Sequence, residues 1–437
     1  MLNILQLVDF FFCGEGKDLI MQQEIITSLD FGTQKLSATV AIREKDELKI
    51  LGVQSCKSAG IEKGLLVDID KCRDVAVNLL KDLEKKTRVK SERIAIGISS
   101  NKARITEAST VVNIQEKVTS ADIRKALKNA QRDFILSNDE CIVDVLINFY
   151  ILDNKVIRKD ILNWKGSKLE INLTLAIAAK SEIEKYYELF RKTEYDIASI
   201  KLNILVGKQV FLNEKNSMEN IVIADIGAGT TDIALFTDGI PKSINTIPIG
   251  GRNITRDLAI CGKFSFLKAD NMKKIYSSNY KALYLDNSLE EEIDVGTTKV
   301  SRKLFYEVVN ARIEEILSHI NIKLKNTGHY DRICSIILYG DGVNYFEDID
   351  EIVRKIFEIK TKVIRKNDLG IKNSENITSM AIAKEVYDRL NLLENDNIIL
   401  TNKHNDNKVI NEKEHLHNNE GENHILKKVK VFFDKIF

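Results

Sequence analysis

Apolar positions recur in two rhythms along the chain, and one arrangement of them occurs twice. Residues 221–224 form a continuous apolar run, followed by Asp225, Gly227, Ala228, Gly229, Thr230, Thr231 and Asp232, after which a second apolar run, 233–236, leads away. The pattern predicts a strand, a tight polar turn and a second strand. The same plan appears near the start. An apolar stretch ends at Asp30, a Gly32-Thr33 turn and Lys35 follow, and residues 37–42 read as the return strand. Two copies of this unit predict an internal duplication with a ligand held between two lobes.

The remaining pattern fills in around these hairpins. Residues 68–85 read as a helix with Val75, Leu79, Leu80 and Leu83 on its apolar positions, and 94–99 as a buried strand. From 103 to 179 the character changes to strands at 110–114, 141–152 and 169–178 around one helix that starts at Thr119-Ser120-Ala121-Asp122, a capping sequence. That is a small α+β module inserted in the first lobe, with the look of an interaction module. Beyond the second hairpin come a strand at 244–249, a helix at 253–260, an acidic, loop-like stretch at 283–300 that ends in a short strand, a long helix at 301–324, a buried strand at 333–338 and helical patterns over 347–389, notably 377–390. The fold class is α/β, with two duplicated mixed-sheet lobes. Residues 1–23 read as an extension, 24–102 with 180–218 as the first lobe, 103–179 as the insert and 219–390 as the second lobe, its smaller part at about 255–325. Residues 391–424, rich in Asn, Lys, Glu and His, read as a disordered linker, and 425–437 as an amphipathic helix.

Composition narrows the function classes. With 65 basic against 64 acidic residues there is no overall charge signal for nucleic acid, and none is expected as a partner. The six cysteines are scattered without a C-x-x-C pair, which suits free thiols in a reducing compartment. No apolar run is long enough to span a bilayer. The stretch from Leu2 to Cys13 is apolar but broken by Asp9 and lacks a basic lead. It reads as a dispensable extension upstream of a start at Met21, with an amphipathic anchor as the alternative.

Chemistry concentrates in the repeated turns. Successive backbone N–H groups in a glycine turn form an anion-binding nest, and the threonine hydroxyls add donors. A carboxylate at the strand end, such as Asp225, suits a hydrated hard cation such as Mg²⁺. A structural hairpin with a polar turn would carry the same letters. Gly250-Gly251 ahead of a helix reads either as backbone N–H groups facing a phosphate or ribose, or as a plain turn. In the tail, Ile425, Leu426, Val429, Phe432, Phe433, Ile436 and Phe437 share one helical face, with Lys427, Lys428 and Lys435 elsewhere. A helix of that design lies flat on an anionic membrane; docking on the protein itself is the alternative.

The two hairpins resemble the phosphate loops of the actin/DnaK-type ATPase superfamily. The run Gly250-Gly251-Arg252-Asn253-Ile254-Thr255-Arg256-Asp257-Leu258-Ala259, the Ala269-Asp270-Asn271-Met272-Lys273 segment, the insert and the tail resemble the bacterial cell-division family FtsA. The resemblance implies a two-lobed actin-like fold holding ATP and Mg²⁺. Gly32, Thr33 and Lys35 would face the phosphates from one side and Gly227, Gly229, Thr230 and Thr231 from the other, with Asp30 and Asp225, and Asp232 beside them, holding Mg²⁺ through water. Gly250, Gly251, Asp270, Lys273, Gly340 and Gly342 would surround the nucleoside. It further implies a head-to-tail polymer at the division site, on the cytoplasmic face of the inner membrane. The polymer would bind the C-terminal peptide of the tubulin-like FtsZ through the smaller part of the second lobe and other division proteins through the insert. Three positions depart from the family: Ala228 replaces a glycine, Tyr339-Gly340-Asp341-Gly342 replaces Thr-Gly-Gly, and only Asn203 stands where relatives that hydrolyse ATP carry Glu or Gln. Slow or no hydrolysis is expected, with no catalytic residue. A PilM-type pilus assembly protein, which lacks the linker and tail, is the main rival; a kinase or chaperone of the superfamily comes after it.

Overall fold

The computed structural model describes residues 25–402 except 45–46, 214–215, 217, 289, 296–297, 347–348 and 366–375, with side chains of the last helix described to Leu393. The extension at 1–23 and the tail at 403–437, including its proposed membrane face, lie outside the described residues.

The first lobe begins with β1 (Ile25–Phe31), β2 (Lys35–Glu44) and β3 (Glu47–Lys57), then the small hairpin β4 (Ile61–Glu62) and β5 (Leu65–Leu66), α1 (Ile69–Thr87) and β6 (Arg93–Ile98). The insert contains β7 (Ala103–Asn113), α2 (Ser120–Asp133), β8 (Glu140–Leu152), β9 (Lys155–Ile157) and β10 (Lys168–Ala179). The chain returns to the first lobe with α3 (Lys180–Phe190), β11 (Asp196–Leu202) and two short turns of helix, α4 (Asn203–Val206) and α5 (Lys208–Phe211). The second lobe has β12 (Asn220–Ile226), β13 (Thr231–Thr237) and β14 (Ile240–Ile247). It continues with α6 (Gly251–Cys261), α7 (Phe266–Tyr276), α8 (Tyr280–Leu285), β15 (Glu292–Val295), β16 (Thr298–Ser301), α9 (Arg302–Lys325), β17 (Ser335–Tyr339), α10 (Asp350–Ile356) and β18 (Thr361–Val363). A last helix, α11 (Ile377–Asn402), crosses back to the first lobe.

The duplication is visible in sheet order. One sheet runs β3-β2-β1-β6-β11 and the other β14-β13-β12-β17-β18, each with two antiparallel and then two parallel pairings. Asp30 pairs with Ser37 on one neighbour and Gly97 on the other, and Asp225 with Asp232 and Tyr339 in the same places. Side chains on β12 alternate between two cores, as the period of two in a strand requires. Ile221 and Ile223 join the first lobe's cluster, whereas Val222, Ala224 and Ile226 join the second lobe's. β13 divides in the same way, Ala234 and Phe236 against Ile233 and Leu235, so the two faces of the second lobe's sheet seam the lobes.

The insert folds as a four-stranded sheet, β7-β10-β8-β9, with α2 packed on it. Thr119 caps α2 by accepting from the Asp122 backbone, and Asp122 answers by accepting from the Thr119 backbone. Several sequence expectations need correction. Strand β7 begins at Ala103 rather than 110, because its first half alternates partly exposed positions without an apolar run. The stretch at 283–300 is less loop-like than expected: it takes in the end of α8 and, ahead of the expected short strand β16, a second strand β15 that pairs with it, with Ile293 and Val300 buried. The edge strand β18 is three residues long, too short to show a period. Helix α11 does not stop at Leu390. Leu393 is buried in the insert's core and its carbonyl accepts from Arg124 on α2, so 391–393 belong to the folded body rather than to a linker.

Helix α11 is fixed by a buried polar cluster at the junction of three parts. Lys201 at the end of β11 is fully buried and donates to Asp144 of the insert at 2.8 Å, and Arg389 reaches the same carboxylate at 3.1 Å and the Val145 carbonyl at 2.6 Å. Glu385 accepts from Gln209 and lies 3.8 Å from Arg389. Burial alone pushes the Glu385 carboxyl up, but the charges of Lys208, Lys201 and Arg389 and the Gln209 hydrogen bond outweigh it and bring it down from 4.5 to about 2. A carboxyl depressed on folding stabilises fully above its unfolded pKa and loses that contribution as pH falls through the folded one. Glu385→Gln is therefore expected to cost about 3 kcal/mol at pH 7. In urea unfolding at a series of pH values, its gap from wild type should shrink as pH falls from about 4.5 towards about 2.

Candidate functional site

The two hairpins face each other across a cleft of about 490 Å³. Each turn is closed by the same hydrogen bond two residues after the aspartate: Gly32 N donates to Lys35 O at 3.0 Å, and Gly227 N to Thr230 O at 2.9 Å. The turns touch. A Cβ on Gly229 would stand 2.7 Å from the Thr33 side chain, whose hydroxyl accepts from Gly64 N at 3.0 Å.

Three carboxylates form the floor. Asp30 is buried and accepts from Asn203 Nδ2 at 2.7 Å; burial pushes its carboxyl up to about 6, although Lys35 and Asn203 pull the other way. Asp232 accepts from Ser99 Oγ at 2.8 Å, from Ser100 N at 3.4 Å and from Thr246, and burial still raises it. Burial, and then the charges of Asp232 and Asp30, raise Asp225 well above the ordinary range. Among the described residues no three His, Cys, Asp or Glu groups converge closely enough to hold a metal ion directly. Clustered buried carboxylates whose ionisation is disfavoured, and which do not converge as direct ligands, fit a hydrated divalent cation, because such an ion keeps its waters and compensates the charge. The Asn203 Oδ1 atom is buried over Gly97 without a hydrogen-bond partner among the described residues.

The structure brings together at the cleft Asp30, Gly32, Thr33, Lys35, Asp225, Gly227, Gly229, Thr230, Asp232, Asp270, Lys273 and Gly340. Thr231, Gly250, Gly251 and Gly342 do not line it. Thr231 is fully buried and donates to Ile249 O at 2.9 Å. Gly251 N donates to Gly227 O at 2.9 Å, Arg252 N to Ala228 O at 2.8 Å and Gly342 N to Ile226 O at 2.7 Å. These glycines let three backbone segments stack behind the turn: a Cβ on Gly250 would lie 2.4 Å from Gly227 O, and one on Gly342 2.6 Å from Ile226 O. They support the nest from behind. Gly340, at φ +103°, makes the left-handed bend beside Asp225 that a side chain would obstruct.

Two lysines also differ from expectation in what they hold. Lys273 is buried and donates to Thr255 Oγ1 at 2.8 Å and to Gly251 O at 3.1 Å, bracing α6 against α7, with burial lowering its pKa. Lys35 pairs with Asp341 across the cleft at 2.8 Å. Residues that sequence reasoning did not assign to the site include Ser99, Ser100 and Thr246, which hold Asp232, and Gln34, Asn271, Lys274, Asn344 and Tyr345, which line the cleft. The polar Ser99-Ser100 pair at the end of a buried strand was the available signal.

Residues 222–383 match the family described as Cell division protein FtsA. The chain is 25% identical to the cell division protein FtsA of Bacillus subtilis (strain 168) over 365 residues, 82% of each chain. It is 27% identical to that of Neisseria meningitidis serogroup B over 80% of this chain and 86% of the relative. It is 26% identical to that of Pseudomonas aeruginosa over 79% and 84%. A chain of the PilM-PilN type IV pilus biogenesis complex is similar in fold, with a TM-score of 0.55 and 11% identity over 85% of this chain and all of that one. The likeness to FtsA thus extends over about four-fifths of the chain.

The supporting role of Gly250 has a direct consequence. Gly250→Ala, at a position that does not touch the cavity, is expected to destabilise the protein by about 1–3 kcal/mol, because its methyl meets only backbone atoms. Urea unfolding checks the magnitude. Hydrogen exchange should show faster exchange at Gly251 and Arg252, whose amides clamp the 227–229 turn.

Proposed function

We propose that this chain, with its likeness to the FtsA cell-division proteins, is an actin-like protein that binds ATP with Mg²⁺ between its lobes. We further propose that it assembles head to tail on the cytoplasmic face of the inner membrane and tethers FtsZ filaments there at the division site. The observation that supports nucleotide binding best is the pair of equivalent turns, each with an aspartate at the strand end, facing each other across one cleft. The Thr33, Ala228 and Gly229 backbone N–H groups and the Thr33 and Thr230 hydroxyls would hold phosphate oxygens from two sides. Asp30, Asp225 and Asp232 would orient the waters of the cation, which supplies charge compensation for phosphate. Asn203 presents an amide in the position nearest Asp30 and cannot take a proton from water, in keeping with slow hydrolysis. Nucleotide then acts chiefly as a ligand that shifts conformation and assembly.

Partner binding rests on surface chemistry. The smaller part of the second lobe, where Ile260 and Ile275 on α6 and α7 are exposed large apolar side chains, would capture the FtsZ C-terminal peptide. The insert would serve other division proteins. The tail helix, with Phe432, Phe433 and Phe437 on its apolar face, supplies membrane contact. One such tail binds reversibly, because partial burial of its apolar residues and about 1 kcal/mol per lysine near anionic lipid are offset by the cost of ordering it. Several tails on a polymer bind much more firmly by avidity.

Two measurements test this reading. Mg-ATP at about 100 times its Kd should stabilise the protein by about 2.7 kcal/mol in thermal unfolding, and Asp225→Ala should abolish the effect; no response in wild type would overturn the nucleotide reading. In co-sedimentation with anionic vesicles, the full chain should pellet, more strongly with Mg-ATP, while a chain ending at Glu422 should stay in solution. Equal pelleting of the two would remove the tail as the tether.

A further inference from the structure

The phosphate turn of the first lobe is already tied to the second lobe by its own side chains. Lys35 Nζ lies 2.8 Å from Asp341 Oδ2, and Gln34 Nε2 donates to Asp270 Oδ2 at 3.4 Å. Asp341 is held on its own side, because its Oδ1 accepts from Asn344 Nδ2 at 3.0 Å. Its backbone follows the left-handed Gly340, which sets it at the edge of the cleft floor. From there its charge acts on both Asp30 and Asp225. The pair is neither fully exposed nor sealed, with side-chain exposures of 21% for Lys35 and 31% for Asp341, so it lies within reach of an incoming anion.

We propose that Asp341 is a positioning residue that competes with nucleotide phosphate for Lys35, so that binding of a nucleoside polyphosphate exchanges a cross-cleft ion pair for a lysine–phosphate contact and releases one tie between the lobes. The inference rests on the nucleotide reading above. Lys35 is the one lysine on the Gly32–Lys35 turn, and it cannot give its full charge to phosphate and to Asp341 at once. Asp341 also adds a negative charge to a floor that already carries Asp30, Asp225 and Asp232. Both effects hold nucleotide affinity below what the two turns would reach alone, and both vanish when the carboxylate is neutralised. The nearly isosteric Asp341→Asn keeps a carbonyl oxygen for Asn344.

Titration with Mg-ATP tests the competition. Asp341→Asn is expected to bind about three- to tenfold more tightly than wild type, the range that follows from losing one partly screened charge pair, while Asp341→Glu stays close to wild type. Lys35→Met should weaken binding more in the Asp341→Asn background than in wild type, because only there is the lysine free of its competitor. In thermal unfolding without nucleotide, Lys35→Met and Asp341→Asn should be non-additive, as expected for residues in contact. Unchanged or weaker binding by Asp341→Asn, or additive effects on unfolding, would overturn the proposal while leaving the nucleotide reading intact. Failure of wild type to bind Mg-ATP would instead remove the nucleotide reading, and this competition with it.

Discussion

Asp30, Asp225 and Asp232 bring three carboxylates to one low-dielectric floor where two duplicated sheets meet, and the surrounding structure compensates for that concentration of charge. Burial and mutual repulsion disfavour ionisation there. The compensation is polar rather than apolar: Asn203 for Asp30, and Ser99, Ser100 and Thr246 for Asp232. These partners come from both lobes, since Ser99 and Ser100 follow β6 whereas Asp232 stands on β13. The floor therefore cannot be held by either lobe alone, and any ligand that supplies positive charge there acts on both at once.

Much of this was legible in the sequence, for a physical reason. A buried strand that ends in an acid and a glycine turn is a local feature, and both copies carry it in contiguous residues. The insert was legible too, because its helix announces itself by the Thr119 cap and its strands β8 and β10 by long apolar runs. The parts that were missed depend on contacts remote along the chain. Gly250, Gly251 and Gly342 look like ligand-facing glycines in sequence, yet they are small because three backbones pass within hydrogen-bonding distance behind the 227–229 turn. Lys35 reads as a phosphate ligand, and only the fold shows Asp341, 306 positions away, beside it. The end of the last helix was misplaced because the stretch 391–424 is polar as a whole, which hid Leu392 and Leu393, whose burial is supplied by the insert.

The duplicated lobes are similar in sheet order but unequal in what they carry. The first lobe receives the insert between β6 and α3, and the second extends between β14 and β17 into α6 to α9 with the β15–β16 hairpin. Each extension leaves the five-stranded sheet complete, so the surfaces that meet partners change without disturbing the strand ends that form the cleft.

Helix α11 starts at the cleft, where Ile377 and Thr378 contribute to the wall, and reaches the insert's core at Leu393. Between these ends Ser379 is fixed to Ser28 and Thr39, and Arg389 to Asp144 and Val145. A helix turns about 100° and rises about 1.5 Å per residue, so its two ends are phased to each other like marks on a ruler. Side chains along it can change with time, but its count of residues from 377 to 393 cannot. One inserted or deleted position would turn Arg389 away from its buried partners while Ser379 stayed in place. Among relatives that share these contacts, this interval should hold a constant length even where its letters diverge.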